Sequence, residues 1–245
     1  HELIVRFAPP TSSGVQRATH QAYGGYRRYR SRRGWEVVVL PPYADRETAL
    51  HHYRLDPHVV HVERNRRVRV ASLTEPMANV GGFVPDDPDW PAQWGVERIG
   101  MPEVWAAMAA AGGEPGAAGE IVVAVIDSGI DLEHPDLHAN LWHHPEPPAC
   151  DAVAAGEPCG EGSRHGWNFI AGGEPHDDHG HGTHVAGTVG AVGNNGVGVA
   201  GVAWDVELMA LKFLDQNGSG SIANAIRAIE YAVEHGAHII NASYG

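Results

Sequence analysis

Long apolar runs, cysteine and, over most of the chain, basic charge are scarce in these 245 residues. No stretch approaches the about 18 uncharged apolar residues of a membrane-spanning helix. There are two cysteines, Cys150 and Cys159, and no Cys-x-x-Cys pair, which excludes a structural zinc site of that kind. Between positions 81 and 245, 4 basic residues face 23 acidic ones, and the whole chain carries −13. That balance excludes a general nucleic-acid surface. No G-x-S-x-G nucleophile elbow occurs. The chain opens on His1 with no charged n-region or apolar h-region before it. Both ends read as cut, so a missing leader says nothing about secretion.

What is present divides in two. Residues 1–80 hold 13 Arg and 7 acidic residues, a net of +6, and residues 81–245 a net of −19. Opposite signs predict two domains that attract each other. Tyr23, Tyr26 and Tyr29 interleave with Arg27, Arg28, Arg30, Arg32 and Arg33. The patch is short, and the chain holds its own acidic partner, so nucleic-acid stacking is the weaker reading. Strands are predicted at 3–7 and 35–40, a helix over 45–53 capped by Asp45, and an extended stretch over 59–70. Residues 14–33 stay open, because Gly24-Gly25 weakens a helix there. The sum is a small α+β unit of about 70 residues, with a core marginal on its own. Residues 71–95, with Pro76, Gly81, Gly82, Pro85, Pro88 and three Asp, read as an exposed boundary.

The acidic part reads as α/β. IVVAVI, 121–126, suits a strand buried on both faces of a parallel sheet, and 206–211 is a second such run. A helix over 221–235 is predicted to bury a stripe of Ile222, Ala225, Ile226, Ile229 and Val233, with Gly236 closing it. Asp127 directly follows the first buried run, where open parallel sheets place their sites. A turn or helix cap is its competing reading. HDDHGHGTHVAGTVG, 176–190, holds His176, His179, His181 and His184. Zinc is the obvious rival there, but His181 and His184 lack the Glu of a metal-hydrolase helix. An imidazole takes a proton from a hydroxyl near neutral pH when a carboxylate fixes its tautomer. Asp127 and one His of 176–184 could form that pair, and no nucleophile is evident. The residues themselves stop at a base and its orienting acid.

Four segments, VAVIDSGIDLEHPDL (123–137), HGTHVAGTVG (181–190), GVAGVAWDVELMALKFLDQNGSGS (198–221) and IINASYG (239–245), resemble subtilisin-like serine proteases (subtilases, peptidase S8) in family order. PAQWGVERIGMPEVW, 91–105, resembles their lead-in. ELIVRF and RLDPHVVHVERNRRV (54–68) are similar to the inhibitor-type propeptide of such enzymes. The resemblance implies a small α+β ferredoxin-like propeptide over 1–75 and a linker and maturation region over 76–90. It implies the N-terminal part of an α/β, three-layer, parallel-sheet peptidase domain over 91–245. Asp127 matches the triad aspartate, His181 the base, and His184 the second, structural His of the motif. The oxyanion Asn and nucleophile Ser are expected beyond Gly245, since Asn241 and Ser243 match neither. A truncated, inactive homologue that binds or scaffolds is the alternative.

The same resemblance implies polypeptide substrates added as a strand between Gly218-Ser219-Gly220 and Ser243-Tyr244-Gly245. Leu214 and Tyr244 would then shape the pocket four residues before the cut. It implies the propeptide as an intramolecular inhibitor and no organic cofactor. It also implies a calcium ion held by Asp136, Asn195 and the carbonyls of Val192, Val197 and Val199. Cys150 and Cys159 lie in a Pro/Gly-rich insertion, about 143–165, where a local disulfide would clip a loop with little core. An oxidising, secreted setting goes with that bond.

Overall fold

In the computed structural model, which describes residues 2–69, 82–145 and 163–245, the chain divides by contacts into two units. One is His1–Arg67 with Ser221–Glu230, and the other is Val68–Gly220 with Tyr231–Gly245. In the first, β1 (Glu2–Phe7), α1 (Ser13–Ala22), β2 (Tyr26–Arg30), β3 (Trp35–Val39), α2 (Arg46–Leu55) and β4 (Val59–Arg64) follow in a β-α-β-β-α-β order. Its sheet runs β2-β3-β1-β4, and every pair is antiparallel. Leu3, Val5 and Phe7 of β1 alternate onto one face and pack with Val38, Leu50 and Tyr53. Asp45 caps α2 by accepting the N–H groups of Glu47 and Thr48, as the sequence predicts.

Residues 14–33 resolve into α1 and β2. Both are hard to read because α1 buries polar groups, Gln16, Thr19 and His20, and YRRYR of β2 is mostly exposed. His20 is held between the Tyr53 hydroxyl (2.8 Å) and Glu36 (2.6 Å), and Arg27 donates to the other Glu36 oxygen at 3.0 Å. Burial raises the Glu36 carboxyl, but the hydrogen bonds from His20 and Arg27 outweigh it and hold it below its ordinary range.

A short ribbon pairs β5 (Arg67–Arg69) with β9 (Ser219–Ser221). The second unit opens with α3 (Trp94–Arg98) and α4 (Met101–Ala110). Its sheet is built from β6 (Val122–Asp127), β7 (Gly166–Asn168), β8 (Glu207–Lys212) and β10 (Ile239–Asn241) in the order β10-β6-β8-β7, every pair parallel. All six residues of β6 are buried, as a central parallel strand requires. α5 (His181–Gly190) packs Ala186, with Val185 and Val189, onto Val123, Val125 and Leu208.

The predicted face of α6 (Ile222–Glu234) needs correction. Ala225, Ala228, Tyr231 and Ala232 are buried, whereas Ile229 and Val233 are 40% and 46% exposed. The packed face is a row of alanines, which apolar periodicity ranks below the isoleucines. Cys150, Cys159 and most of the expected linker lie outside the described residues.

Candidate active site

Asp127 ends β6 and is 0% exposed. Its Oδ1 accepts the Ser128 N–H at 2.7 Å and lies 2.8 Å from His181 Nδ1. A carboxylate only accepts, so the proton of this second bond sits on Nδ1 and leaves the Nε2 lone pair free. Asp127 Oδ2 is buried without a hydrogen-bond partner.

His181 is the first residue of α5, so its position depends on how that helix starts. Asp177 organises the start. Its carboxylate accepts the N–H groups of His179, Gly180 and Thr183, together with the Thr183 and Ser128 hydroxyls. Burial raises the Asp177 carboxyl, but these donors outweigh it and hold it below the usual carboxylate range. The Ser128 hydroxyl also accepts the Gly182 N–H at 2.9 Å. Ser128 therefore joins the aspartate turn to the helix that carries the imidazole. Gly129 closes the turn at φ +108°, where a Cβ would meet the Pro175 carbonyl at 2.4 Å.

His184, one turn along α5, is exposed, and His179 stands with its ring centroid 6.3 Å from His181. Among the described residues no group of three or more His, Cys, Asp or Glu side chains converges on a metal position.

One predicted substrate strip follows the end of β8 and the other follows the end of β10. Leu214 is fully buried and forms an isolated antiparallel bridge to Gly220. Gly218, at φ +66°, turns the loop, and Asp215 accepts the Asn217 and Ser219 N–H groups inside it. Ser219 and Gly220 belong to β9, which pairs with β5. Ser243 donates to Asn241 at 2.9 Å, Gly245 is exposed, and Tyr244 lies edge-on to Phe213 at 4.7 Å. Burial and then the nearby negative Asp127 push the Tyr244 phenol above its ordinary value.

Asp136 is buried beneath the loop 192–199. It accepts the Asn195 side-chain amide (3.0 Å) and the Val199 N–H (2.8 Å), and its own carbonyl accepts the Val192 N–H (3.0 Å). The Val197 N–H donates to the Asn195 amide oxygen. A second buried carboxylate, Asp87, serves the same loop by accepting the N–H groups of Asn194 and Asn195. Burial raises the Asp87 carboxyl; the amide donors pull it down, Asp136 pushes it up again, and the net shift is upward. Sequence reasoning missed Asp87. The signal was the Asp-Asp-Pro-Asp run at 86–89, which reads only as a breaker-rich boundary.

Residues 118–245 match the Subtilase family (Peptidase_S8). The chain is 44% identical over 125 residues to a thermostable alkaline protease of Halalkalibacterium halodurans, which covers 50% of this chain and 27% of that protein. It is 32% identical over 165 residues to thermitase of Thermoactinomyces vulgaris, covering 66% and 48%. It is 32% identical over 204 residues to the minor extracellular protease Epr of Bacillus subtilis, covering 82% and 26%. The chain thus spans less than half the length of these relatives. In fold it resembles fervidolysin, a keratinolytic enzyme from Fervidobacterium pennivorans. The TM-score is 0.66 at 20% identity, over 100% of this chain and 35% of that one.

Proposed function

The chain belongs to the subtilase family, and from that premise we propose that it carries the acid and base of a secreted serine endopeptidase. The observation that carries this reading is the 2.8 Å bond from His181 Nδ1 to the buried carboxylate of Asp127. His181 Nε2 takes the proton of a serine hydroxyl as that oxygen attacks a peptide carbonyl. Asp127 holds the ring in the required tautomer and stabilises the imidazolium. An Asn side chain and a backbone N–H bind the oxyanion, and water releases the acyl-enzyme. Serine and Asn come from chain beyond Gly245 in this reading, so the 245 residues alone lack peptidase activity. Polypeptide substrates add as a strand along Gly218–Gly220 and Ser243–Gly245. The strand already formed by Ser219–Ser221 supports that mode.

Residues 1–75 act as the propeptide and intramolecular inhibitor, removed by a cut in 70–85. Support comes from the β-α-β-β-α-β order and antiparallel sheet of the first unit, a ferredoxin-like arrangement. The net charge of +6 over residues 1–80 agrees with it.

Calcium fits the loop at 192–199. Two buried carboxylates, Asp87 and Asp136, converge on it, and hard oxygen ligands suit this ion. Asp87, Asp136, the Asn195 amide and the carbonyls of Val192, Val197 and Val199 would hold it. When bound it supplies the positive charge that these carboxylates lack.

A serine-directed fluorophosphonate tests the activity. The intact protein is expected to take one equivalent, and this 245-residue chain none. An intact protein that takes no label would instead be the inactive, binding homologue.

A further inference from the structure

Lys212 is the only lysine in the chain, every other basic side chain among the 17 Lys and Arg being arginine. It ends β8 in register with Asp127, the last residue of β6, and is 4% exposed. Burying an ammonium is costly unless each of its donors is used. Here all three are: Nζ donates to the Ser128 carbonyl at 2.6 Å, the Leu214 carbonyl at 3.0 Å and Asp178 Oδ1 at 2.5 Å. The one charged partner, Asp178, has a side chain 52% exposed, so the ion pair alone does not explain placing a cation here.

The three acceptors belong to three different parts of the site. Ser128 gives its N–H to Asp127 Oδ1, and its hydroxyl donates to Asp177 while accepting the Gly182 N–H of α5. With its carbonyl held by Lys212, Ser128 is tied down through its N–H, its hydroxyl and its C=O, and so on both of its flanking peptides. Asp178 follows Asp177, which organises the start of α5 and so the position of His181. Leu214 opens the loop that returns through Gly218 to its bridge partner Gly220. The Phe213 and Leu214 N–H groups also donate to the Asp127 carbonyl, at 2.9 and 3.2 Å. An arginine would keep the charge, but its planar fork cannot set three donors of one atom on three converging acceptors.

We propose that Lys212 is a positioning residue, whose ammonium sets the Asp127 carboxylate against His181 and fixes the 214–220 strip at the same level. The effect on turnover rests on the subtilase reading, whereas the effect on the Asp127–His181 bond does not.

The test compares Lys212→Arg, Lys212→Met and Asp178→Asn with the unchanged intact protein. The readouts are the NMR resonance of the His181 Nδ1 proton, and kcat and KM per serine titrated with fluorophosphonate. Titration removes any loss that comes only from a smaller folded fraction. Lys212→Arg is expected to shift or broaden the Nδ1 proton resonance. It should lower kcat per titrated site about tenfold to a hundredfold, the scale on which small misplacements act, with a smaller rise in KM. Asp178→Asn, which keeps an acceptor, should move the resonance less. If Lys212→Met does not fold, Lys212→Arg and Asp178→Asn still decide. An unchanged resonance in both overturns the proposal, as does an unchanged kcat per titrated site in Lys212→Arg. If the unchanged protein takes no probe, the protease reading fails, and the resonance alone still tests Lys212.

Discussion

A Cβ placed on Gly182 would stand 2.1 Å from the carbonyl oxygen of Gly129. The helix bearing His181 and the turn following Asp127 approach so closely that only glycine fits, with the Asp127 Cβ 3.2 Å away. Gly182→Ala must therefore push α5 off the turn. It is expected to cost about 1–3 kcal/mol, as overpacking does. The Nδ1 proton signal of His181 should also be lost. Urea unfolding and the proton spectrum check both.

Asp127→Asn keeps the shape of the site but can place its amide N–H toward His181. The imidazole then carries its proton on Nε2, the wrong tautomer for a base. By analogy with other serine-protease triads, kcat of the intact protein should fall about 10⁴-fold. Burst kinetics on an ester substrate would measure it, and a fall of less than tenfold would count against the assigned role.

Calcium should reverse the sign of one substitution. Without the ion, Asp87 is a carboxylate whose charge is disfavoured by burial and then by Asp136, so Asp87→Asn should raise Tm. With calcium present, the same change removes a ligand and should lower Tm. Saturation at a hundredfold excess over Kd is worth about 2.7 kcal/mol to the unsubstituted protein. Thermal melts after exhaustive chelation and after calcium addition read both signs, and a Tm indifferent to calcium in the unsubstituted protein would remove the site.

Glu36 gives the first unit an acid-sensitive core. Its folded carboxyl titrates below the ordinary 4.5. Its stabilisation is therefore complete above that value and is lost as pH falls through the lower folded one. Hydrogen exchange of β1 and β3 amides should speed up below about pH 4.5, the ordinary carboxylate range. Glu36→Gln should flatten that dependence and cost about 1–3 kcal/mol at neutral pH, because buried donors lose their charged acceptor.

The disulfide expected between Cys150 and Cys159 is checked by mass. Alkylation without reductant should leave the mass unchanged, while alkylation after reduction should add two groups. If formed, such a bond closing so short a loop would be worth about 2–3 kcal/mol.

Legibility followed how locally each feature is determined. β6 was readable because burial on both faces leaves no polar position in IVVAVI. Asp127 was readable because it ends that strand. Its pairing with His181, 54 residues on, was not readable from spacing, since the sheet and the α5 start bring them together. The motif resemblance supplied the pairing first. β2 was hidden because YRRYR is mostly exposed, and the α6 face because alanines rather than isoleucines fill the close approach. Asp87 and Lys212 escaped for a different reason. Each binds a backbone group distant in sequence, Asn194 for Asp87 and Ser128 for Lys212, and backbone groups leave no mark on composition.

The loop that holds Asn194 and Asn195 also rests on an indole. A Cβ on Gly193 would lie 2.3 Å from Trp204, and Trp204 packs tilted against Trp105, which packs tilted against Trp90, with centroids 4.9 and 5.7 Å apart. Trp105 reaches back to the Val202 carbonyl just beyond that loop. Three indoles this close are expected to couple, so the trio should give a shared near-ultraviolet dichroism signal. That signal should change when the loop shifts at Gly193 against Trp204, giving the molecule a built-in gauge of the loop without an added dye.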